Sequence, residues 1–158
     1  MQFHAGTVHG VVWKALTKYH DGRGWLCELF RLDEVAEPFR PAMAYASVTE
    51  AGVTRGPHEH ADQADFFCFF GPSDFKLYLW DTRPASSTHG VRQAEVIGEG
   101  RPTAVIIPPG VVHAYRNVGR VPGLVFNCPN RLYKGWGRTE PVDETRHEDI
   151  PDSPFVID

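Results

Sequence analysis

Glycine and proline recur so often along this chain that long helices are excluded. The 158 residues include 15 glycines and 13 prolines, and both residue types interrupt helices and mark turns. Short apolar runs lie between these turn residues, a pattern typical of β-strands. A chain of this length can also bury a core of its own without disulfides. We therefore predict a single all-β domain that spans residues 1–158.

The apolar runs predict a jelly-roll barrel. Predicted strands lie at residues 10–16, 25–30, 66–70, 75–81, 91–97, 103–107, 114–118 and 124–128. The Gly-Pro-Ser-Asp segment at 71–74 predicts a hairpin between the third and fourth of these strands. Residues 32–35 predict one helical turn, which Pro38 and Pro41 would stop. The polar, acidic residues 133–158 are expected to form a solvated C-terminal strap over the barrel.

Charge and cysteine content narrow the possible partners and location. The net charge is −4 and the sequence pI is about 6.0. No run of basic residues offers a surface for nucleic acid or an anionic membrane, and the N-terminus lacks the features of a secretion signal. Cys27, Cys68 and Cys128 lie in apolar runs without metal-finger spacing. We expect a cytoplasmic protein with buried thiols and a small-molecule ligand.

Three histidines are the strongest functional signal. His58 and His60 occupy alternate positions of an extended segment, so their side chains project from one face while that of Glu59 points to the other. The Pro-Pro-Gly segment at 108–110 ends one connection and starts a strand that carries His113. A single histidine of this kind is more often a structural residue. Three in paired motifs favour a functional site in which the imidazoles share one cavity.

Four segments in a fixed order extend this signal over most of the chain. They are Asp-Gly-Arg-Gly-Trp at 21–25, Arg-Gly-Pro-His at 55–58, the segment 80–90, and Pro-Pro-Gly-Val-Val-His at 108–113. Together they resemble the dTDP-4-dehydrorhamnose 3,5-epimerase family, which consists of cupin-fold enzymes of nucleotide-sugar metabolism. The resemblance covers about residues 10–130. It implies a cupin double-stranded β-helix, a homodimer, and a metal-free site without a cofactor in the mouth of the barrel.

The chain is most similar to a shorter branch of this family. Members of that branch often carry His-x-His followed by Gln-x-Asp, here His58, His60, Gln63 and Asp65. Gln63 and Asp65 are expected to act as polar partners of the histidines, because a catalytic imidazole needs its second nitrogen fixed. His60, Gln63 and Asp65 are therefore predicted to lie at the substrate-binding site.

The resemblance implies a role for each matching position. Family members move a proton next to a ketone, which needs a base on one face of the carbon, an acid on the other and donors for the enolate oxygen. His58 matches the base, and His113 matches a second histidine that contacts the substrate. Arg23 and Arg55 match arginines that hold the diphosphate, and Glu28 matches a residue near the nucleotide base.

Two catalytic positions of the family differ in this chain. Counting back from Thr82 places the family's active-site lysine at Phe66, which can donate no hydrogen bond. The tyrosine that serves the family as acid aligns with Phe126 or Asn127. Tyr133 is a replacement acid or, equally, an aromatic residue of a lid. In the family an aspartate orients the base, and no residue of this chain can be matched with it from the sequence.

Three functions are compatible with these residues. The first is a nucleotide-diphospho-keto-sugar epimerase or isomerase. The second is a divalent-metal oxygenase or lyase, because the general cupin metal motif resembles His58, His60, Asp65 and His113, a set that suits Fe, Mn, Zn or Ni. The third is a non-catalytic relative that binds a sugar nucleotide. The diphosphate arginines favour the epimerase, because a metal oxygenase needs no diphosphate clamp.

Overall fold

The computed structural model describes residues 2–158 and is built almost entirely from strands. The thirteen strands of this part of the chain are β1 His4–Ala5, β2 Val12–Ala15, β3 Lys18–Asp21, β4 Gly24–Cys27, β5 Tyr45–Thr49, β6 Thr54–Glu59, β7 Asp65–Phe69, β8 Asp74–Asp81, β9 Val91–Gly98, β10 Thr103–Ile107, β11 Val111–Asn117, β12 Gly123–Asn127 and β13 Thr145–Arg146. Two short 3-10 helices occupy Glu37–Phe39 and Trp136–Arg138. Neither of these described helices has the length and apolar character needed to cross a membrane. The all-β prediction is confirmed.

The strands form two facing sheets and a separate hairpin. Six strands pair in the order β1-β9-β8-β11-β6-β13, five pair in the order β2-β10-β7-β12-β5, and β3 pairs with β4. The parallel pair is β1 with β9, and the other pairs are antiparallel. This arrangement is a jelly-roll barrel of the predicted kind.

The main core fills the space between the two sheets. Phe67 and Phe69 of β7 face Leu77 and Leu79 of β8 across it, and all four are at most 2% exposed. Burying an apolar side chain of this size stabilises the fold by about 1.5–3 kcal/mol relative to leaving it in water. Residues that alternate with these point outward, where the adjacent segments of the chain cover them. Alternation therefore decides which side chains of each strand reach the barrel interior.

Strands β7 and β8 do not form the hairpin predicted from residues 71–74. β7 pairs with β10 and β12 in the five-stranded sheet, whereas β8 pairs with β9 and β11 in the six-stranded sheet. Every residue of β7 is buried, because the facing sheet covers one side and a segment containing Phe30 and Val35 covers the other. A strand buried on both faces occupies the middle of its sheet, so its two neighbours leave no edge for β8.

The predicted helical turn at 32–35 is a non-helical turn, and a short helix begins further along, at Glu37. Pro38 is its second residue, where the missing N–H costs no hydrogen bond. Proline therefore starts this helix rather than stopping an earlier one. The predicted C-terminal strap, residues 133–158, is largely exposed, but β13 within it pairs with β6.

Candidate active site

A wide pocket opens beside the connection between β6 and β7. Its volume is about 1780 Å³. The residues that line it lie within 42–47, 54–67 and 129–148, together with Tyr115. The last of these segments belongs mainly to the C-terminal strap. The strap therefore forms one wall of the pocket.

The pairing of β6 with β11 brings His58 and His113 together. The two residues lie directly opposite each other in this antiparallel ladder, and their ring centroids are 4.4 Å apart. The ring of His60, just beyond the end of β6, lies 5.6 Å from that of His58 and 5.9 Å from that of His113. Glu59 points to the other face, where it contacts His147. The structure thus brings the three imidazoles into contact, with His58 and His60 lining the pocket and His113 buried behind them.

Gly56 allows the two strands to approach this closely. Its φ of +81° lies in the left-handed region, where other residues are strained. A Cβ atom at this position would also lie 2.7 Å from the carbonyl oxygen of His113. The register of the ladder shifts between His113 and Tyr115, which marks a bulge, a feature that redirects side chains beside functional sites. Glycine is therefore required where His58 and His113 meet.

Asp65 reaches the histidines from the opposite sheet. It begins β7 and is 1% exposed. Its Oδ2 lies 3.1 Å from Nε2 of His60 and 2.9 Å from Nε2 of His113. Its Oδ1 accepts hydrogen bonds from the side-chain amides of Gln63 at 2.9 Å and Asn127 at 2.8 Å. The carboxylate is therefore oriented on one side by amides and faces two imidazoles on the other.

His58, His60, Asp65 and His113 form what we call the histidine–aspartate cluster, in which one nitrogen or oxygen atom of each lies within 4.8 Å of the others. Burial, and then the nearby His113, lower the pKa of His58 to about 2. Burial opposes the charged form of His60, but the Asp65 carboxylate outweighs this effect and raises the pKa of His60 to about 9. Burial alone would raise the pKa of Asp65, but contacts with His113 and His60 hold it well below its usual range. At neutral pH, His58 is uncharged and Asp65 is ionised.

The ring nitrogens that face away from the cluster contact backbone carbonyls. Nδ1 of His113 lies 3.0 Å from the carbonyl oxygen of Val111, and Nδ1 of His60 contacts the carbonyl oxygen of Asp143 in the strap. A carbonyl oxygen can only accept, so Nδ1 carries a hydrogen in both rings. The strap is itself held here, because the Asp143 carboxylate accepts hydrogen bonds from the backbone of residues 61–63 at 2.8–2.9 Å.

Tyr45 is a pocket residue that the sequence analysis missed. It lies in β5, a strand that the apolar runs did not reveal, and its hydroxyl accepts a hydrogen bond of 2.8 Å from Nδ2 of Asn127. The same nitrogen donates to Asp65, so a single amide links Tyr45 to the cluster. Burial, and then the charge of Asp65, raise the pKa of Tyr45 to about 12. The β-rich sequence Tyr-Ala-Ser-Val-Thr at 45–49 is the signal that would have revealed this strand.

Arg55, Gln63 and Tyr133 line the same pocket as the cluster. Arg55 donates from Nε to Oγ1 of Thr49 at 2.9 Å and from Nη2 to the carbonyl oxygen of Val48 at 2.8 Å. These bonds orient its guanidinium at the pocket wall. Tyr133 lies on the strap and is 51% exposed. The structure therefore brings these three predicted residues to one pocket with His58 and His60.

The structure does not bring Arg23 and Glu28 to this pocket. Arg23 lies in the turn between β3 and β4, and Glu28 follows β4. Among residues 2–158, neither belongs to the set that lines the pocket. The side chain of Arg23 is 91% exposed and pairs with Asp21 at 2.6 Å. Within a single chain, the two predicted nucleotide contacts are thus separate from the cluster.

Phe66, at the position matched with the family's lysine, and Phe126, one of the two positions matched with its tyrosine, both face away from the pocket. Phe66 packs against Phe30, and Phe126 lies in the same outer cluster. Their neighbours Asp65 and Asn127 face inward and hydrogen-bond to each other. Next to the two phenylalanines, the side chains that point into the barrel are therefore the carboxylate of Asp65 and the amide of Asn127.

The segment 80–90, which contributes to the family resemblance, is organised around a buried carboxylate. Asp81 is 0% exposed and accepts hydrogen bonds from Arg83 at 2.8 Å and from the hydroxyls of Ser86 and Thr88 at 2.6 Å. In the part of the chain that the structure describes, these residues lie outside the pocket lining. Their role is to hold the connection between β8 and β9.

Comparisons with known proteins agree with this geometry. A sequence profile of the family described as dTDP-4-dehydrorhamnose 3,5-epimerase matches residues 5–136. The spore coat polysaccharide biosynthesis protein SpsL of Bacillus subtilis is 37% identical over 127 residues, which cover 80% of this chain and 82% of that protein. A probable low-salt glycan biosynthesis epimerase of Haloferax volcanii is 36% identical over 128 residues, which cover 80% of this chain and 81% of that protein.

A solved structure shares the fold. The dTDP sugar isomerase from Desulfovibrio desulfuricans matches with a TM-score of 0.80 and 22% identity, over 94% of this chain and 91% of that chain. At this level of identity the likeness shows the fold alone. It agrees with the cupin-type barrel and leaves the chemistry to be argued from the pocket residues.

Proposed function

The chain belongs to the dTDP-4-dehydrorhamnose 3,5-epimerase family, and we propose that it epimerises a nucleotide-diphospho-keto-sugar. The reaction would proceed by proton transfer at the carbon next to the ketone. The observation that carries the proposal is the neutral imidazole of His58, which faces the pocket beside two further histidines. Proton abstraction requires a base in this position. The family match favours this function over an oxygenase, a lyase or a non-catalytic relative.

The reaction replaces one carbon–hydrogen bond by another. In the first step the base takes the proton, and the electron pair of the broken bond moves to the ketone oxygen to form an enolate. In the second step an acid returns a proton to the opposite face of the same carbon, and the ketone forms again. No electrons are gained or lost, so the site needs a base, an acid and a group that stabilises the enolate oxygen.

His58 is the base in this proposal. It is only partly buried and lines the pocket, whereas His60 and His113 are 9% and 2% exposed. Its pKa of about 2 keeps the ring unprotonated and able to accept a proton at physiological pH. The same low pKa makes it a weak base, so the enolate must be strongly stabilised for the reaction to proceed.

Two tyrosines are candidates for the returning acid. Tyr45 is held by Asn127 beside the cluster, and its pKa of about 12 keeps the hydroxyl protonated. Tyr133 lies on the strap wall of the pocket and is 51% exposed, close to the 46% of Tyr45. We place Tyr45 first, because its position is set by a hydrogen bond and that of Tyr133 by the strap alone.

The proposed substrate carries a diphosphate, and the pocket offers positive charge to bind it. Arg55, Arg131 and Arg138 line the pocket with Lys134, and a guanidinium group can donate two parallel hydrogen bonds to a phosphate. In this proposal Arg55 contacts the diphosphate at the pocket wall. A cytoplasmic location is part of the same proposal, since Cys27, Cys68 and Cys128 are unpaired.

Deuterium exchange tests this function. The protein is incubated in heavy water with dTDP-4-dehydrorhamnose and with 4-keto sugars linked to UDP, GDP and CDP, and the sugars are analysed by NMR. We expect solvent deuterium to enter the carbon beside the ketone of at least one sugar. His58→Asn should abolish that exchange, because asparagine cannot accept the proton. The matched control His89→Asn removes an exposed histidine and should exchange as the wild type does.

Two outcomes would contradict the proposal. One is the absence of exchange with every nucleotide sugar in the panel, which would point to a non-catalytic binding protein if dTDP still stabilises the fold. The other is full exchange by folded His58→Asn, which would assign the base to another residue. Circular dichroism and thermal unfolding establish that the variant is folded.

A further inference from the structure

Asp143 of the C-terminal strap contacts both the ring of His60 and the loop that leads from His60 to Asp65. Its carboxylate accepts hydrogen bonds from the consecutive backbone N–H groups of residues 61–63 at 2.8–2.9 Å. Its own carbonyl oxygen accepts a hydrogen bond from Nδ1 of His60. A single strap residue therefore holds two parts of the segment that joins these members of the histidine–aspartate cluster.

The loop that Asp143 holds sets the position of His60 relative to Asp65. Residues 61–64 join the two, and Nε2 of His60 lies 3.1 Å from Oδ2 of Asp65. The loop also carries Gln63, whose side-chain amide donates to Oδ1 of Asp65 at 2.9 Å. Because Asp143 holds the backbone of Gln63 as well as the ring of His60, it acts on both partners of this contact.

The strap reaches this position because β13 pairs with β6, the strand that carries His58. Arg146 lies opposite His58 in this ladder, and the backbone N–H group of His147 donates to the carbonyl oxygen of Pro57 at 2.8 Å. Asp143, two residues before β13, is thereby brought to the end of β6. The family profile matches residues 5–136, so the match assigns no role to this part of the strap.

We propose that Asp143 is a positioning residue of the active site, which orients His60 through its carbonyl oxygen and fixes the loop before Asp65 through its carboxylate. The hydrogen bond made by one imidazole nitrogen determines what the other nitrogen can do. With Nδ1 donating to Asp143, Nε2 of His60 is directed at Asp65. Asp143 thus acts through His60, which lines the pocket, and its contact is with this ring and not with the base His58.

The catalytic consequence rests on the proposed function, whereas the orientation of His60 does not. His58 and His60 line the pocket with their ring centroids 5.6 Å apart, so the keto-sugar would react beside His60. A displacement of about 1 Å near the reacting atoms can lower a rate by about 10²-fold. Loss of the Asp143 side chain should therefore lower kcat by roughly tenfold to a hundredfold. KM should change less, because β5 and not the strap holds Arg55.

Proton NMR of the whole protein without substrate tests the orientation of His60. An imidazole N–H group that donates to a carbonyl and is shielded from water gives a separate signal far downfield, and both His60 and His113 carry such a group. The spectrum of His60→Asn assigns the signal of His60. In Asp143→Ala this signal should disappear through exchange with water. The signal of His113, whose Nδ1 contacts Val111, should remain and serves as the internal reference.

Amide hydrogen exchange tests the hold on the loop. The backbone amides of residues 61–63 should exchange roughly tenfold faster or more in Asp143→Ala, because local opening then breaks fewer hydrogen bonds. Asp143→Asn keeps the shape of the side chain but replaces one acceptor oxygen by a donor, so its effects should be intermediate. If Asp143→Ala does not fold, the same measurements on Asp143→Asn decide the matter.

Two matched controls alter other residues of the strap. Asp149→Asn removes an exposed carboxylate. His147→Asn removes the contact of His147 with Glu59, at 2.9 Å on the other face of β6. Both variants should keep the His60 signal and the wild-type rate of deuterium exchange on the sugar.

The outcomes separate this inference from the proposed function. An unchanged His60 signal with unchanged exchange of amides 61–63 in the folded Asp143 variant would overturn the positioning role. Equal losses in His147→Asn would also overturn it, because docking of the whole strap would then set the ring. Loss of the signal without a change in kcat rejects the catalytic consequence. Loss of the signal in a protein whose wild type acts on no nucleotide sugar supports the positioning of His60 and rejects the epimerase.

Discussion

Successive side chains of a strand point to opposite faces of the sheet, and this alternation decides which residues reach the histidines. In β7, Asp65 faces the histidines while Phe66 packs outward, and in β12 Asn127 faces Asp65 while Phe126 packs outward. A shift of one residue in either strand would place a phenylalanine in the cluster and bury an acid or an amide among apolar side chains. The chemistry of the pocket therefore depends on strand register as much as on residue identity.

The returning acid can be identified by separating exchange from inversion. We expect Tyr45→Phe to lower the rate of epimerisation by roughly 10²–10⁴-fold, which is typical of a lost general acid. Deuterium should still enter the carbon beside the ketone, because His58 can remove and return a proton on its own face. NMR of the sugar in heavy water measures exchange and inversion in one sample.

Tyr133→Phe is the matched control for this experiment. The Tyr45 hydroxyl is linked through Asn127 to Asp65, whereas Tyr133 lies on the strap wall, so removal of the Tyr133 hydroxyl should change the inversion rate far less. A larger loss of inversion in Tyr133→Phe than in Tyr45→Phe would assign the acid to the strap instead.

Carboxylates that accept several hydrogen bonds fix loops and connections of the fold. Asp143 connects the C-terminal strap to the loop between β6 and β7 through three backbone hydrogen bonds. Asp81 holds the connection between β8 and β9 through hydrogen bonds from the side chains of Arg83, Ser86 and Thr88. Both carboxylates accept several hydrogen bonds, which stabilise their ionised forms. Protonation of such a carboxylate at low pH weakens the hydrogen bonds that it accepts, so the loops it holds should be less stable in acid.

We expect Asp81→Asn to destabilise the protein by about 2–3 kcal/mol at pH 7, because it loses charge-assisted hydrogen bonds in a buried position. Burial alone would raise the pKa of Asp81, but Arg83, Ser86 and Thr88 hold it below its usual range. A group with a lowered pKa stabilises the fold above its unfolded pKa of about 3.9 and loses that contribution as the pH falls. The difference between wild type and variant should therefore be complete above about pH 5 and shrink below pH 4.

Urea unfolding at several pH values measures this difference. Asp149→Asn is the control, since Asp149 is exposed on the strap, and it should leave the free energy of unfolding nearly unchanged. A stability difference for Asp81→Asn that stays constant from pH 7 to pH 3 would show that the charge of Asp81 does not matter.

At the scale of the whole molecule, the hairpin of β3 and β4 lies outside both sheets and exposes apolar side chains. Tyr19, Trp25 and Leu26 are 62%, 46% and 66% exposed. Exposed apolar groups on paired edge strands favour association with another copy. Arg23 lies at the tip of this hairpin, away from the pocket of its own chain. The diphosphate contact that the resemblance implies for Arg23 would therefore require the pocket of a second copy.

We expect the protein to form a homodimer through this hairpin. Leu26→Asp places a charge in the apolar contact and should shift the mass measured by light scattering at micromolar concentration from dimer to monomer. Stabilisation by dTDP should decrease in the same variant, because Arg23 is then removed from the neighbouring pocket. Val156→Asp, which alters a similarly exposed side chain, is the control and should remain dimeric. A monomeric wild type would contradict the prediction.

Much of the fold and part of the site follow from local sequence patterns. Glycines and prolines between short apolar runs predict strands, because backbone restrictions act over a few residues. The alternation of His58 and His60 predicts that they face one cavity, and the Pro-Pro-Gly turn predicts that His113 lies in a strand. The family resemblance identifies Arg55, and Tyr133 was suggested as a replacement for the family's tyrosine; both line the pocket. These features depend on contacts of short range or on motifs that are continuous in the chain.

The sequence by itself determined an all-β chain in which three histidines come together, whereas only the tertiary structure decided what surrounds them. Strand pairing placed β7 and β8 in different sheets and turned Asp65, not Phe66, toward the histidines. It also brought Tyr45 to Asn127 and the carbonyl of Asp143 to His60. These partners are about 80 residues apart in the chain. Alternative strand pairings compete, and the pairing that buries both faces of the central strand is favoured. The local sequence does not show which pairing this is, because the paired strands are far apart in the chain.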